Sequence, residues 1–371
     1  MNSTNDALRE KVLKAIIPIK KPDEKTRHIE NEEFKLKRQS SSLILPEYYL
    51  VYFLFVDFLK FQNLGQWEKV AWIIPIDFEG IYYTIEYRKF GIGVFGNSDD
   101  DSNIDEIIKR VKKAVKIAEP YYESIAKLKS EGSELNVINN SISLYNRYLY
   151  FLDLYTEKAK KNVSLRLFEG YRERQQESWL ALSAIDSFYS WTEQVFIHIG
   201  ILKSYLKTGK EVLKFADLDW KSKYKEIIPL KDKNEKLCYD KLSNIKSQLR
   251  NFYAHGAFGK TGETFEFHSS TGAVPLKITS KINNRKEYSL HGPEGFQESD
   301  ALLVIDSFVK TVLWTNGREL AQIYLMESGL PTILSHASDG VYQKAMSGAK
   351  EMIDFVHHLS SAFDNAANMD W

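Results

Sequence analysis

One cysteine, Cys238, stands among 371 residues, so the chain can form no intramolecular disulfide. Charge imbalance is missing too: 50 Lys and Arg face 50 Asp and Glu, for a formal net charge of zero. A protein that clings to nucleic acid through bulk charge is thereby excluded, and any phosphate contact must come from a local patch. Long apolar runs are also missing. The most apolar stretch, Tyr48 to Phe61, is too short for a bilayer and contains Asp57 and Lys60. The polar, charged N-terminal residues do not read as a secretory signal, and a reducing cytoplasm is the simplest expected compartment. There is no HExxH, no CxxC, no GxSxG and no Gly-rich loop ending in Lys-Ser/Thr. Metal hydrolysis, serine acyl transfer and P-loop chemistry therefore have no foothold, and neither metal nor cofactor is expected.

What remains is ordinary core-building material. A hydrophobic content of 43% supports real cores, and the length suggests two or three domains. Residues 1–44 are polar apart from Val12 to Ile19 and read as a short helix followed by an arm. Pro46 opens a helix through Phe58 and Leu59. Val70 to Ile76, Ile81 to Tyr87 and Phe90 to Phe95 read as strands, with a turn at Glu79-Gly80. Gly91, Gly93 and Gly96 have the spacing GxGxxG. No helix opens directly after them, so a dinucleotide loop is disfavoured. Asp99, Asp100 and Asp101 read as a solvated turn with a helix cap.

An amphipathic helix from Ile104 to about Leu128 carries Lys109, Arg110, Lys112, Lys113 and Lys116. This basic cluster, Lys109 and Lys113 in particular, is the best local candidate for phosphate contact, against the plainer reading of a solvated face. A helix from about Glu134 to Lys160 is crowded with tyrosines, which suit a core or an interface. A long helix from about Leu167 to Leu206 is apolar on most sides at its centre and should be buried. Asp186, Ser190 and Glu193 share one stripe of it. Lys207 to Lys233 reads as a loop with one short helix. Three short strands fall between about 262 and 292, followed by helices over Glu298–Met326 and Ser338–Phe363.

The stretch Leu249-Arg250-Asn251-Phe252-Tyr253-Ala254-His255-Gly256 carries the strongest chemical signal. It ends a helix that starts near Asn234, and Gly256 suits the left-handed stop. At about 100° per residue, Cys238, Leu242, Ile245, Leu249 and Phe252 form a core-facing stripe. Arg250, Asn251 and His255 fall on the opposite arc with Ser243, Asn244 and Ser247. That arc is small and polar, so a large partner such as a nucleic-acid backbone or a second subunit could approach it, with Asn244 and Ser247 as contacts. The plain alternative is an ordinary Arg and His at a helix end, where the dipole favours cations.

The string resembles the motif of the HEPN family: an Arg, a polar residue, then a His four to six residues after the Arg, often followed by Gly. Arg250, Asn251, His255 and Gly256 fill those places. The resemblance implies a helical domain that dimerises so that two motifs line one cleft. For many members it also implies metal-independent RNA cleavage. It further implies an acid on the first long helix facing the motif helix; Glu193 has that place, with an interhelical salt bridge as its structural alternative. HEPN ribonucleases often act as bacterial toxins or antiphage effectors held in check until triggered, so an inhibitor or antitoxin protein is an implied partner. One subgroup has a tyrosine two residues after the His; here Ala257 stands there.

The expectation is a mainly α chain of α+β type. An arm (1–44) precedes an α+β sensing or regulatory region (45–165). A HEPN-like helical domain (166–371) follows, with a β insertion at about 262–292. The expected activity is endoribonuclease, with Arg250, His255, Asn251 and Glu193 as catalytic residues. The alternative is a non-catalytic helical dimer that binds a partner or a nucleotide.

Overall fold

A computed structural model describes residues 2–23, 36–66, 69–96, 102–162, 171–253, 263–280, 286–290 and 298–368, with backbone alone at 2–4, 102, 162, 171, 248–253, 263–266, 275–280, 286–289 and 367–368. The chain is mainly α with antiparallel sheet, an α+β fold. It divides into two compact units: Met1–Leu128 with Phe363–Trp371, and Lys129–Ala362.

The first unit is built on a five-stranded antiparallel sheet. Its strands are β1 (Ile19–Lys20), β2 (Lys37–Arg38), β3 (Val70–Phe78), β4 (Ile81–Arg88) and β5 (Gly91–Gly96), in the order β1-β3-β4-β5-β2. The β3–β4 hairpin closes through Glu79 (φ 54°) and Gly80 (φ 84°). Two consecutive positive φ angles match the twist of the flanking strands. The Gly80 amide donates to Asp77 Oδ1 at 2.9 Å. Helix α1 (Asn2–Ile16), helix α2 (Tyr48–Tyr52) with its π-helical continuation Phe53–Phe58, and helix α3 (Ser102–Ile117) supply the rest of the core. Val12, Leu54, Phe55, Ile74, Ile76, Ile85, Ile107 and Val111 are fully or almost fully buried there.

Several expectations are revised here. Helix α1 buries Val12 and Ile16, packs on α3, and leads into a strand paired with β3, so residues 5–20 belong to the core of this unit rather than to an arm. The strand expected over Phe90 to Phe95 is present as β5, and Gly91, Gly93 and Gly96 lie inside it. A Cβ on Gly96 would meet the Tyr83 ring at 2.7 Å, so close strand packing accounts for that glycine. The basic helix stops at Ile117, and a second one, α4 (Glu119–Ser130), starts with Pro120 at its second position. There the missing N–H has no intrahelical partner to lose. The Asp99–Asp101 turn lies outside the described residues.

The second unit centres on helix α6 (Tyr171–Leu202). Its Ala181, Ile185, Phe188, Trp191, Val195, Phe196 and Ile199 share a face of about 140° and are all buried. A face that broad needs several neighbours to cover it. Helix α5 (Ser141–Asn162) runs along it, with Tyr145 over Trp191 at 4.5 Å between ring centroids. Two helices, α7 (Gly209–Ala216) and α8 (Trp220–Ile227), stand where a loop with one short helix was expected. A Thr208/Glu211 capping box starts the first and an Asp219 N-cap the second. Helix α9 (Lys233–Tyr253) packs on α6, α8 and α10 (Glu298–Phe308). Strands β7 (Glu263–Ser269), β8 (Gly272–Ser280) and β9 (Lys286–Ser289) form the antiparallel insertion.

The division between units falls at 128/129 rather than 165/166, because the tyrosine face of α5 is buried against α6. The helix expected over Glu298–Met326 is interrupted after a π-helical turn, Val309–Leu313. Asn316 (φ 55°) and Gly317 (φ 80°) then reverse the chain. The last expected helix is three: Leu334–Ser338, Val341–Ala345 and Ala349–Asn368, with Gly340 (φ 78°) between the first two. No described helix is long and apolar enough to cross a membrane.

Candidate functional site

Helix α9 carries Cys238, Leu242 and Ile245 inward, all buried, as the apolar stripe requires. The same helix continues through Arg250 and Asn251 to Tyr253. The Arg250 and Asn251 side chains and the whole of His255 lie outside the described residues, so the geometry on the page is that of the preceding turn.

That turn is a cationic cluster around one carboxylate. Glu193 on α6 accepts from Lys223 Nζ at 3.1 Å and from Lys246 Nζ at 3.2 Å. Lys223 comes from α8 and is buried, while Lys246 comes from α9 itself. Lys246 also sits over the Tyr189 ring, 4.6 Å from its centroid, where the π face favours a cation. The Tyr189 hydroxyl donates to the Leu242 carbonyl at 2.7 Å, which ties the long helix to the motif helix. On the next row, Lys221 Nζ donates to Ser247 Oγ at 3.0 Å, and Ser247 donates to the Ser243 carbonyl at 2.8 Å.

Arg250 stands four positions after Lys246 and three after Ser247. Both are its neighbours on a helix surface, about one turn away. The helix backbone thus carries Arg250 one turn past Lys246, which pairs with Glu193, and past Ser247, which accepts from Lys221. Glu193 does face the motif helix, and what it does there is make two interhelical ion pairs. Asn244 is solvent-exposed, and Ser247 is half-buried beneath Lys221. The arc expected to be small, flat and open is therefore partly roofed by α8. Asp186, expected to be buried beside Glu193, is exposed, because α6 turns that position to solvent.

The second basic cluster belongs to the first unit. Lys109, Lys112, Lys113 and Lys116 are all exposed on α3, and Arg110 pairs with Glu106 at 2.6 Å. Lys109 and Lys113 are thus solvent-facing cations in a different unit from the motif helix.

Sequence reading missed Lys221, Lys223 and Lys246 as neighbours of the motif. Lys246 was in view one turn before Arg250. Lys221 and Lys223 come from a helix that the charged composition disguised as loop. His198 was missed as well. It is completely buried, with Nδ1 2.9 Å from Thr332 Oγ1, and burial pushes its imidazole down to about 4. Gln194 beside it donates to the Ile138 carbonyl at 3.0 Å. These groups bind the two-residue strands β6 (Asn136–Val137) and β10 (Thr332–Ile333) to the long helix.

No protein-family model matches the chain, and neither a curated protein nor a solved structure matches it significantly.

Proposed function

We propose that the chain is a metal-independent endoribonuclease of HEPN type. The observation that carries this reading is the string Arg250-Asn251-x3-His255-Gly256 at the end of an amphipathic helix. The lysines one turn earlier, Lys221 and Lys246, support it by adding positive charge where a sugar-phosphate strand would lie.

In this reading RNA supplies its own nucleophile. The ribose 2′-hydroxyl attacks the adjacent phosphorus, an O–P bond forms, and the bond to the 5′ oxygen breaks. The products are a 2′,3′-cyclic phosphate and a 5′-hydroxyl. His255 moves a proton as general base or acid, a role that an imidazole fills near neutral pH. Arg250 neutralises charge that builds on the phosphoryl oxygens. Asn251 orients His255 or holds a phosphate oxygen. Glu193 acts indirectly, by tying Lys246 of the motif helix to the long helix α6. Two copies would pair through the motif helices, doubling the site across a symmetry axis. The protein would act as a toxin or antiphage effector restrained by an inhibitor or antitoxin protein, within the cytoplasm.

Purified protein incubated with mixed RNA in EDTA tests this directly. The expected result is cleavage that falls by about 100-fold or more in both Arg250→Ala and His255→Ala, the range that general acid–base and charge-stabilising groups supply. Equal cleavage by the wild type and both variants would overturn the assignment. RNA left intact under varied activating conditions would favour the alternative, a helical dimer that binds a partner or a nucleotide.

A further inference from the structure

At the opposite end of the motif helix the second unit encloses a cavity of about 910 Å³. That is within the range of small-molecule sites. Its lining is partly apolar, from Leu206, Phe215, Ile227 and Pro229, and partly charged. Among the charged groups Arg318 is only 1% exposed. Its Nε donates to the Leu313 carbonyl at 3.0 Å. Its Nη2 donates to the Val312 carbonyl at 2.8 Å and to Glu235 Oε1 at 3.0 Å. Nη1 makes no hydrogen bond among the described residues and keeps slight solvent access on a side chain that lines the cavity, so it is open to an incoming acceptor.

Lys203 lines the same cavity, half-buried, with no acid within ion-pair distance among the described residues. Burial, and then the neighbouring Arg318, push its ammonium below the usual lysine range; Glu319 and Glu235 oppose this without restoring it. Lys231 stands at the rim. The acids nearby are largely spoken for. Glu235 Oε1 accepts from Arg318 and from Asn316 Nδ2, and Asp232 Oδ1 accepts from the Asn234 and Glu235 amides. Glu226 is at the exposed edge. The turn that presents Asn316 and Arg318 runs through the left-handed region at Asn316 and Gly317. Asparagine and glycine are residues that take that conformation readily.

We infer that this cavity binds a small organic anion, with a carboxylate or phosphate head on Lys203, Lys231 and Arg318 Nη1 and an apolar body against Leu206, Phe215 and Ile227. The head would give Nη1 an acceptor and separate two like charges. The apolar walls set a body of aromatic or branched aliphatic type. The inference is independent of the ribonuclease reading, since none of these residues belongs to the motif.

Labelling by pyridoxal 5′-phosphate, reduced with borohydride and mapped by peptide mass, tests it on the full chain. The probe carries an anionic head and an aldehyde that condenses with an amine in its neutral form, which a depressed lysine supplies. Lys203 is expected to react about tenfold or more faster than exposed Lys207 and Lys210. Inorganic phosphate or benzoate should protect it, the more effective one identifying the head group and body. Lys231→Met should weaken that protection several-fold while leaving the fold intact by circular dichroism. The His255→Ala variant should label as the wild type does. Lys203 labelling no faster than Lys207, or rapid labelling that neither anion slows, would overturn the site.

Discussion

Two ion-pair clusters grip the motif helix, one near each end, and water reaches them unequally. At its start, Glu235 and Arg318 are 5% and 1% exposed. One turn before Arg250, Glu193 is 35% exposed and shares its carboxylate between Lys223 and Lys246. The dry pair is over-determined: besides each other, its members bind two helix-end carbonyls and the Asn316 amide. The wet cluster joins a half-open carboxylate to buried Lys223 and to Lys246, and Lys246, one-third exposed, can exchange one anion for another. A dry pair is costly to break but of little use to a substrate. A wet one is weak and able to admit a phosphate. That contrast is why the proposed chemistry lies at the far end of the helix, while the near end serves as an anchor and a cavity wall.

Breaking the dry pair should have the largest effect. Arg318→Ala leaves the Glu235 carboxylate buried without its cation and should cost about 3–5 kcal/mol in urea denaturation. Replacing both partners, Arg318→Met with Glu235→Leu, should recover much of that loss, because no buried charge remains. A double variant as unstable as the single would show that the contrast lies in packing rather than charge.

The second dry polar site gives an effect of middle size that depends on pH. His198 titrates near 4 in the folded chain against an ordinary value of 6.5. The neutral ring is the folded form, so the unfolded chain binds the proton first as pH falls. Its contribution is complete above about 6.5 and is lost as pH falls from there towards about 4. From these two values the loss at pH 5 is about 2 kcal/mol relative to pH 7.5. Denaturation of the wild type and of His198→Gln at both pH values checks this, since the variant should lack that component. An equal pH dependence in both would remove His198 from the account.

The wet cluster should give the smallest change in stability. Lys246→Met is expected to cost about 1 kcal/mol or less, and the cost should shrink in high salt, because both groups of the Lys246–Glu193 pair are about one-third exposed and well screened. A loss as large as that of Arg318→Ala would erase the distinction between the two ends.

The same contrast sets how much could be read from sequence. The hairpin at Glu79-Gly80, the three strands of the insertion and the apolar stripe of α9 were legible, because alternation, turn chemistry and helical spacing are local. The breaks at Pro120 and at Asn316-Gly317 were masked by apolar periodicity that continues across them. The burial of Glu235 with Arg318, and the approach of Lys221 and Lys223 to the motif helix, join residues tens of positions apart. No local pattern encodes such meetings. Tyr145 shows the same limit at the level of units: its helix looked self-contained, yet the ring packs on Trp191, which moves the boundary by nearly forty residues.

The most direct measurement is the end-group chemistry of RNA treated with the purified protein in the presence of EDTA. Fragments bearing 2′,3′-cyclic phosphate and 5′-hydroxyl ends, absent with His255→Ala, are the predicted result. Fragments with 5′-phosphate ends, or cyclic ends that persist in the variant, would contradict the assignment of Arg250 and His255 as the centre of the chemistry.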